Sequence, residues 1–292
     1  WHNSLAYTVD DENQLLNQFA PVYVAEGVDE DYNRIGKPVA LVEQNQVSVK
    51  IDSGQGAVYT SRRDFSTQLG NYTNIFYRIH FSKVPLRYLG AGKNVGLLVV
   101  VTLDEKKRPL LYTLLHTCGC YLAFIPTSYL PEEMWKKGWT RGRQSVYGEN
   151  LPTYLEFSGA QEQNIIIHLR PETHRVKNVW LMVESELETL PQAHLQVYPF
   201  EDLEHLHLPD GSLTSFYETT GARRDYVKGS QKIWERLLIS WWALDWRVGE
   251  DKKLGKHPED GLVFYTSLKP WAREESDLRD FPNFLKYWGW RL

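Results

Sequence analysis

The stretch Leu97–Phe124, LLVVVTLDEKKRPLLYTLLHTCGCYLAF, decides the fold. Leu97 to Leu103 is a nearly continuous apolar run rich in β-branched residues. It is too short for a buried helix and has no polar side, so it reads as a strand covered on both faces. Asp104 to Pro109 is a charged turn, and Leu110 to Phe124 is largely apolar again. The two runs predict a hairpin near the centre of a sheet.

Further strands flank this hairpin. Asn74 to Phe81 sets Ile75, Tyr77, Ile79 and Phe81 on one face and Asn74, Phe76, Arg78 and His80 on the other. Ala40 to Ile51 reads as a half-buried strand carrying Val47, Val49 and Ile51 on one face. Asn164 to Leu169, Val179 to Glu184, Leu195 to Tyr198 and Gly261 to Leu268 are expected to add strands. A short helix is expected from Asp10 to Ala20, capped by Asp10 or Asp11 and ended by Pro21. Val22-Tyr23-Val24 then begins an extended stretch, and the polar Glu26 to Arg34 reads as a loop. Gln231 to Trp246 carries a wide helical stripe, and Ser276 to Tyr287 predicts a last short helix. The expected class is mainly β or α+β: a central antiparallel sheet or sandwich with peripheral helices and a helix-richer last third. We expect one β-rich domain over 1–292. Gly211 to Gly229, where Gly, Ser and charge cluster, is the place for any split from a helical subdomain 230–292.

Composition limits the function. The 33 basic and 37 acidic side chains give 33 − 37 = −4, which lacks the dense basic face that a nucleic-acid binder needs. No run of about 18 apolar residues is present, so no transmembrane segment is expected. Two cysteines cannot form a disulfide framework. The chain starts at Trp1, which reads as a product whose targeting segment has been removed. Scarce Cys beside 11 Trp and 17 Tyr fits an exported, periplasmic bacterial protein.

The concentrated chemistry is His116-Thr117-Cys118-Gly119-Cys120-Tyr121, which uses both cysteines. In a continuous strand, residues 116, 118 and 120 project to one face at about 6.6 Å per step. Gly119 allows a bend that brings the sulfurs together. One reading is a transition-metal site, Zn or Cu, held by His116, Cys118 and Cys120, with His80 on the neighbouring strand as fourth ligand and His168 as the next candidate. A second is a Cys-x-Cys disulfide or redox pair. Extended geometry lies near the limit of about 6.8 Å between α-carbons, so this pair needs Gly119 to shorten the span. A third is a cysteine-dependent enzyme with His116 as base. The plain alternative is two buried, structural cysteines beside a satisfied histidine.

Other clusters carry weaker signals. Glu184, Glu186 and Glu188 share a face if their segment is a strand, and read as a solvated one. His205 and His207 read as polar decoration of a strand end. Trp241, Trp242 and Trp246 are a candidate binding platform for a ring or a protein partner, although helical spacing of this kind is common in cores. Tyr287, Trp288 and Trp290 are expected to pin the C-terminal segment. Gly90-Ala91-Gly92-Lys93 has Arg87 and Asn94 where a phosphate loop needs Gly and Ser or Thr, so it reads as a turn. His-Glu-x-x-His and Gly-x-Ser-x-Gly are absent.

The sequence resembles a family of uncharacterised exported bacterial proteins. The resemblance is carried by Tyr32-Asn33-Arg34-Ile35-Gly36 and by Phe76-Tyr77-Arg78-Ile79-His80-Phe81-Ser82 with Pro85. It continues through Thr102-Leu103-Asp104, Arg108-Pro109-Leu110-Leu111-Tyr112 and the His116 to Tyr121 motif, with Phe124 and Pro126. These residues span about the first half of the chain, and the family implies no activity. A fainter similarity is to a β-rich family named for vacuolar protein sorting. It rests on Ala20-Pro21-Val22-Tyr23 and on the Leu97 to His116 hairpin, while that family's Gly-Asp-Trp-Glu-His stretch is missing. The leading expectation is an exported protein with a metal-binding or thiol-redox site at His116, Cys118 and Cys120. A non-enzymatic binding or assembly module with structural cysteines is the alternative.

Overall fold

The computed structural model describes residues 3–44, 46–158, 163–257 and 259–292. The strands are β1 Ser4–Val9, β2 Val22–Glu26, β3 Lys37–Glu43, β4 Gln46–Asp52, β5 Ala57–Thr67, β6 Gly70–Val84, β7 Gly92–Leu103, β8 Pro109–His116, β9 Leu122–Pro126, β10 Arg143–Val146, β11 Glu149–Pro152, β12 Gln163–Leu169, β13 Val176–Val183, β14 Gln192–Pro199, β15 Leu206–His207 and β16 Leu213–Thr214. The helices are α1 Gln14–Gln18, α2 Glu184–Leu187, α3 Ile233–Ala243 and α4 Phe281–Trp288. Strand outweighs helix, 42% to 16%, as the mainly-β expectation requires.

Among the described residues, ten strands make one curled sheet in the order β13-β12-β2-β1-β14-β5-β6-β7-β8-β9. The expected antiparallel sheet is in fact mixed. The β1/β14, β12/β2 and β14/β5 pairs are parallel, and the rest are antiparallel. The Leu97 hairpin lies in the long antiparallel half and is buried on both faces. Ile75, Tyr77, Ile79 and Phe81 of β6 pack with Leu97, Val99 and Val101 of β7 inside the curl, joined by Tyr23, Ile165 and Ile167. Phe76, Leu98, Val100 and Leu115 face the other way and pack under Leu254, Phe264, Leu278 and Phe284 of the last third. The double burial read from the hairpin therefore has a cause on each side: the curl on one, the C-terminal segments on the other.

Local readings held where periodicity was clean and failed where a turn interrupted it. Ala40 to Ile51 is not one strand but the β3–β4 hairpin, turning at Gln44 in the left-handed region. The first helix is shorter than expected, because Asn13 caps it by accepting from the Leu15 and Leu16 amides. Asp11 instead accepts from the Asn13 amide. Glu184 to Glu188 is the short helix α2 with its cap, not a strand face. Gly261 to Leu268 forms only an isolated bridge at Tyr265. Its amides go to side chains and a turn instead, Phe264 to Asp277 and Thr266 to the Ser276 carbonyl. The C-terminal segment is pinned as expected: Trp288 donates to Thr266, Tyr287 to Ser267, and Trp290 is buried beside Phe124 and Trp139.

Candidate functional site

The expected strand through His116 to Tyr121 is a turn. β8 ends at His116 and β9 begins at Leu122. The Gly119 amide donates to the His116 carbonyl, and the His116 amide donates to the Cys120 carbonyl. Gly119 sits at φ +85 and Tyr121 at φ +50. This fold-back sets the Cys118 and Cys120 α-carbons 5.5 Å apart, inside the ordinary disulfide range, and the two sulfurs are bonded. No free cysteine remains among the described residues. Gly119 was the residue expected to shorten the span, and its role is stricter than that. A β-carbon there would lie 2.1 Å from the Tyr265 carbonyl oxygen.

The turn is clasped by the last third of the chain. The Lys252 amide donates to the Thr117 carbonyl, and the Lys252 ammonium donates to the Cys118 carbonyl. The Thr117 hydroxyl donates to Asp251, which also accepts from the Gly96 amide of β7. Lys232 lies 3.7 Å from the same carboxylate. Asp251, Lys252 and Lys232 are all buried. Burial pushes the Lys252 ammonium down to about 7. Asp251 and Lys252 lie in a polar stretch of sequence after α3. Their burial follows from contacts with residues more than 130 positions away, which no local pattern encodes.

A cavity of about 240 Å³ opens beside this turn. His116, Cys120, Tyr121, Tyr147, His174 and Lys232 line it. Cys118 is fully buried behind, whereas Cys120 is half-buried at the wall. His116 stacks on Tyr121 with ring centroids 5.1 Å apart, and its Nε2 donates to the His174 carbonyl at 3.3 Å. A carbonyl can only accept, so Nε2 holds the proton and Nδ1 offers a lone pair. Burial, helped by the Lys232 cation, pushes His116 down to about 3. A base that weak takes up almost no proton at neutral pH, so this imidazole suits ligation better than general-base work.

One nitrogen of His116 and the sulfurs of Cys118 and Cys120 all lie within 4.8 Å of one another. The structure therefore brings together three of the four expected ligands. It does not bring His80. His80 pairs with Gly96 and His116 with Leu97, one register step apart on the shared strand β7. Side chains alternate across a sheet, so the two imidazoles fall on opposite faces. His80 is buried between Tyr59 and Phe216 and accepts from Arg78 at 2.9 Å. His168 lies on β12 and pairs with Glu26 at 2.8 Å. The helix α3 forms as read, but Trp241, Trp242 and Trp246 are not core. All three are exposed.

His174 was missed by sequence reading. Its ring stacks on Phe81 at 4.0 Å, and its Nε2 donates to the Tyr32 carbonyl at 2.8 Å. A single His in a polar turn gives no signal of such burial.

Comparison of the chain with protein-family models, with curated proteins and with solved structures finds no match.

Proposed function

We propose that this is a thiol–disulfide exchange protein whose Cys118–Cys120 pair cycles between disulfide and dithiol. One observation carries the reading: the bond joins a buried sulfur to one that lines an open cavity. A structural role alone explains the bond poorly. Cross-linking a loop of three residues stabilises a fold by only about 1.5 kcal/mol in the chain-entropy picture. An incoming thiolate attacks Cys120, the sulfur–sulfur bond breaks, and the electron pair goes to Cys118. The Cys120 amide, which donates to the Cys118 sulfur at 3.4 Å, stabilises that leaving thiolate. A second thiol then resolves the mixed disulfide, leaving the protein dithiol and an oxidised thiol pair. The reading carries with it an oxidising, exported location, because cytosolic thiol pools keep such pairs reduced.

The dithiol state supports a second role. In the disulfide form the His116 nitrogen and both sulfurs already lie within 4.8 Å of one another, so reduction would leave two thiols and a neutral imidazole that could together hold a soft transition metal such as Zn or Cu. Oxidation removes two of those ligands, so metal binding and exchange exclude each other.

Both roles are tested on the folded protein. Dithiothreitol should reduce the pair without denaturant, and iodoacetamide should then label Cys120 before Cys118. The reduced protein should take up one Zn or Cu(I), the oxidised protein none, and His116→Ala should weaken uptake about tenfold or more. A disulfide that opens only after unfolding would sink the exchange reading. Reduction without metal uptake would sink the metal role alone.

A further inference from the structure

We infer that α3 is an in-plane membrane anchor that seats this protein on an anionic lipid surface. A surface helix normally turns its apolar stripe to the core and its charges to water. α3 does the reverse. Of its eleven residues only Ala243 is buried. Ile233, Trp234, Leu237, Leu238, Trp241 and Trp242 are exposed, Leu237 at 64% and Trp241 at 73%. Leu244, at 72%, and Trp246 continue the face beyond the helix. At about 100° per residue the exposed positions from Arg236 round to Trp242 sweep about 240° of the circumference. Weighted by their exposure, with roughly 150–250 Å² on a whole aromatic side chain, the apolar area they offer together with Leu244 and Trp246 is about 700–900 Å². The largest apolar patch on an ordinary monomer is roughly 300–600 Å².

The face is built, not frayed. Trp234 donates to the Leu86 carbonyl at 2.8 Å, which ties in the exposed Leu86 and Leu89. At the other end Arg273 donates to the Ala243 carbonyl, which brings the exposed turn of Trp271 to the end of the helix. Leu244 closes the helix in the left-handed region, and the buried Asp245 accepts from Tyr265 at 2.8 Å. The Trp241 indole donates to the Leu238 carbonyl at 3.1 Å. The indole N–H groups of Trp234 and Trp241 are thus satisfied inside the chain, and their rings can leave water without stranding a donor.

Shape and charge select the occupant. A ridge open over two-thirds of its circumference can be wrapped by a fluid apolar phase. A second copy would touch it only along a strip and leave its flanks wet. Tryptophan favours the level of lipid headgroups, and five of the chain's indoles, Trp234, Trp241, Trp242, Trp246 and Trp271, are exposed here. The exposed charge on the helix is a cation, Arg236, which lies over the Trp246 ring and has no ion pair among the described residues, while the helix's one acid, Glu235, is half-buried and lines the cavity instead. A cation on an otherwise apolar face matches anionic headgroups. No helix of the described chain is long and apolar enough to cross a membrane, so the helix lies in the interface plane.

The whole chain should be mixed with vesicles of phosphatidylcholine alone and of phosphatidylcholine with phosphatidylglycerol. Sedimentation with the anionic vesicles and a blue shift of tryptophan emission are the expected results. Leu237→Asp with Trp241→Asp should cut the bound fraction about tenfold or more. Arg236→Gln should weaken binding to anionic vesicles severalfold and leave neutral ones unaffected. Leu213→Asp, at another exposed leucine, on β16, controls for general loss of surface apolarity and should bind as the parent does. Folding of each variant is checked by its circular dichroism and by its intact disulfide. Failure of the parent chain to bind either vesicle would overturn the inference. So would a lipid-free dimer, seen by light scattering, that Leu237→Asp dissolves.

Discussion

Acidification from about pH 7 to about pH 5 should cost the protein roughly 2 kcal/mol of stability or more. The cause is three neutral histidines, His80 and His174 buried and His116 half-buried at the cavity wall. Burial pushes His116 and His174 down to about 3 and holds His80 well below its ordinary value, where the Arg78 cation also opposes protonation. A depressed folded-state value means that stability is fully present above the unfolded value of 6.5 and is lost as pH falls toward the folded one. Glu250 works in the opposite direction. Burial raises it to about 7 despite Arg223 at 2.8 Å, so between 4.5 and 7 the folded state holds a proton that the unfolded state has released. Between pH 4.5 and 6.5 the unfolded chain binds a net one more proton from His116 and His174 less one at Glu250, and His80 shifts the balance in the same direction as the other histidines. One proton gives a slope of about 1.4 kcal/mol per pH unit, which His80 steepens. Two pH units of it are a sizeable part of the roughly 5–15 kcal/mol typical of a folded domain. Urea unfolding at several pH values measures the slope. His174→Gln, which keeps a donor for the Tyr32 carbonyl and cannot titrate, should lower it by about 1.4 kcal/mol per pH unit. A stability that stays flat from neutral pH down to about 5 would contradict the account.

Gly119→Ala should destabilise the protein by about 3 kcal/mol or more and disorder the disulfide turn. Two costs combine. A non-glycine residue at φ +85 loses roughly 1–2 kcal/mol. The new β-carbon would also meet the Tyr265 carbonyl at 2.1 Å, where backbone rather than a pliable side chain must move. Gly138→Ala separates the two terms. Gly138 has a similar φ of +79 but nothing within 4 Å of its added carbon, so only the conformational cost remains. The melting temperature should fall about 5–10 °C for Gly119→Ala and by less than half of that for Gly138→Ala. Equal losses in the two variants would mean that the close approach to Tyr265 does not matter.

The sheet centre was legible because burial on both faces leaves a plain mark, an unbroken apolar run on each side of a charged turn. The site was legible as a group of residues but not as a geometry. His116, Cys118 and Cys120 are together, yet on a turn and not on a strand face. Leu110 to Phe124 is apolar throughout, so nothing in its pattern betrays the fold-back except Gly119. His80 was misplaced by one register step, which alternation converts into the wrong face of the sheet. Register depends on where β7 ends against β6, and that is set by the fold rather than by either strand alone. The tryptophans on and just after α3 left two readings open, a binding platform or a core face. Helical periodicity shows that an apolar face exists, but not whether the protein covers it.

The clasp of Asp251 and Lys252 on the disulfide turn has a consequence for biosynthesis. The two cysteines are neighbours, so their bond can form as soon as that hairpin emerges. Thr117 meets Asp251 only after 134 further residues, which at about 5–20 residues per second is a delay on the order of ten seconds. During that interval the oxidised turn exists without its lock, and the apolar face of β7 and β8 that the last third later covers stands open. A nascent chain stalled in this gap presents the bond and bare sheet together, which makes the gap the stage at which a chaperone or an oxidase has its widest access.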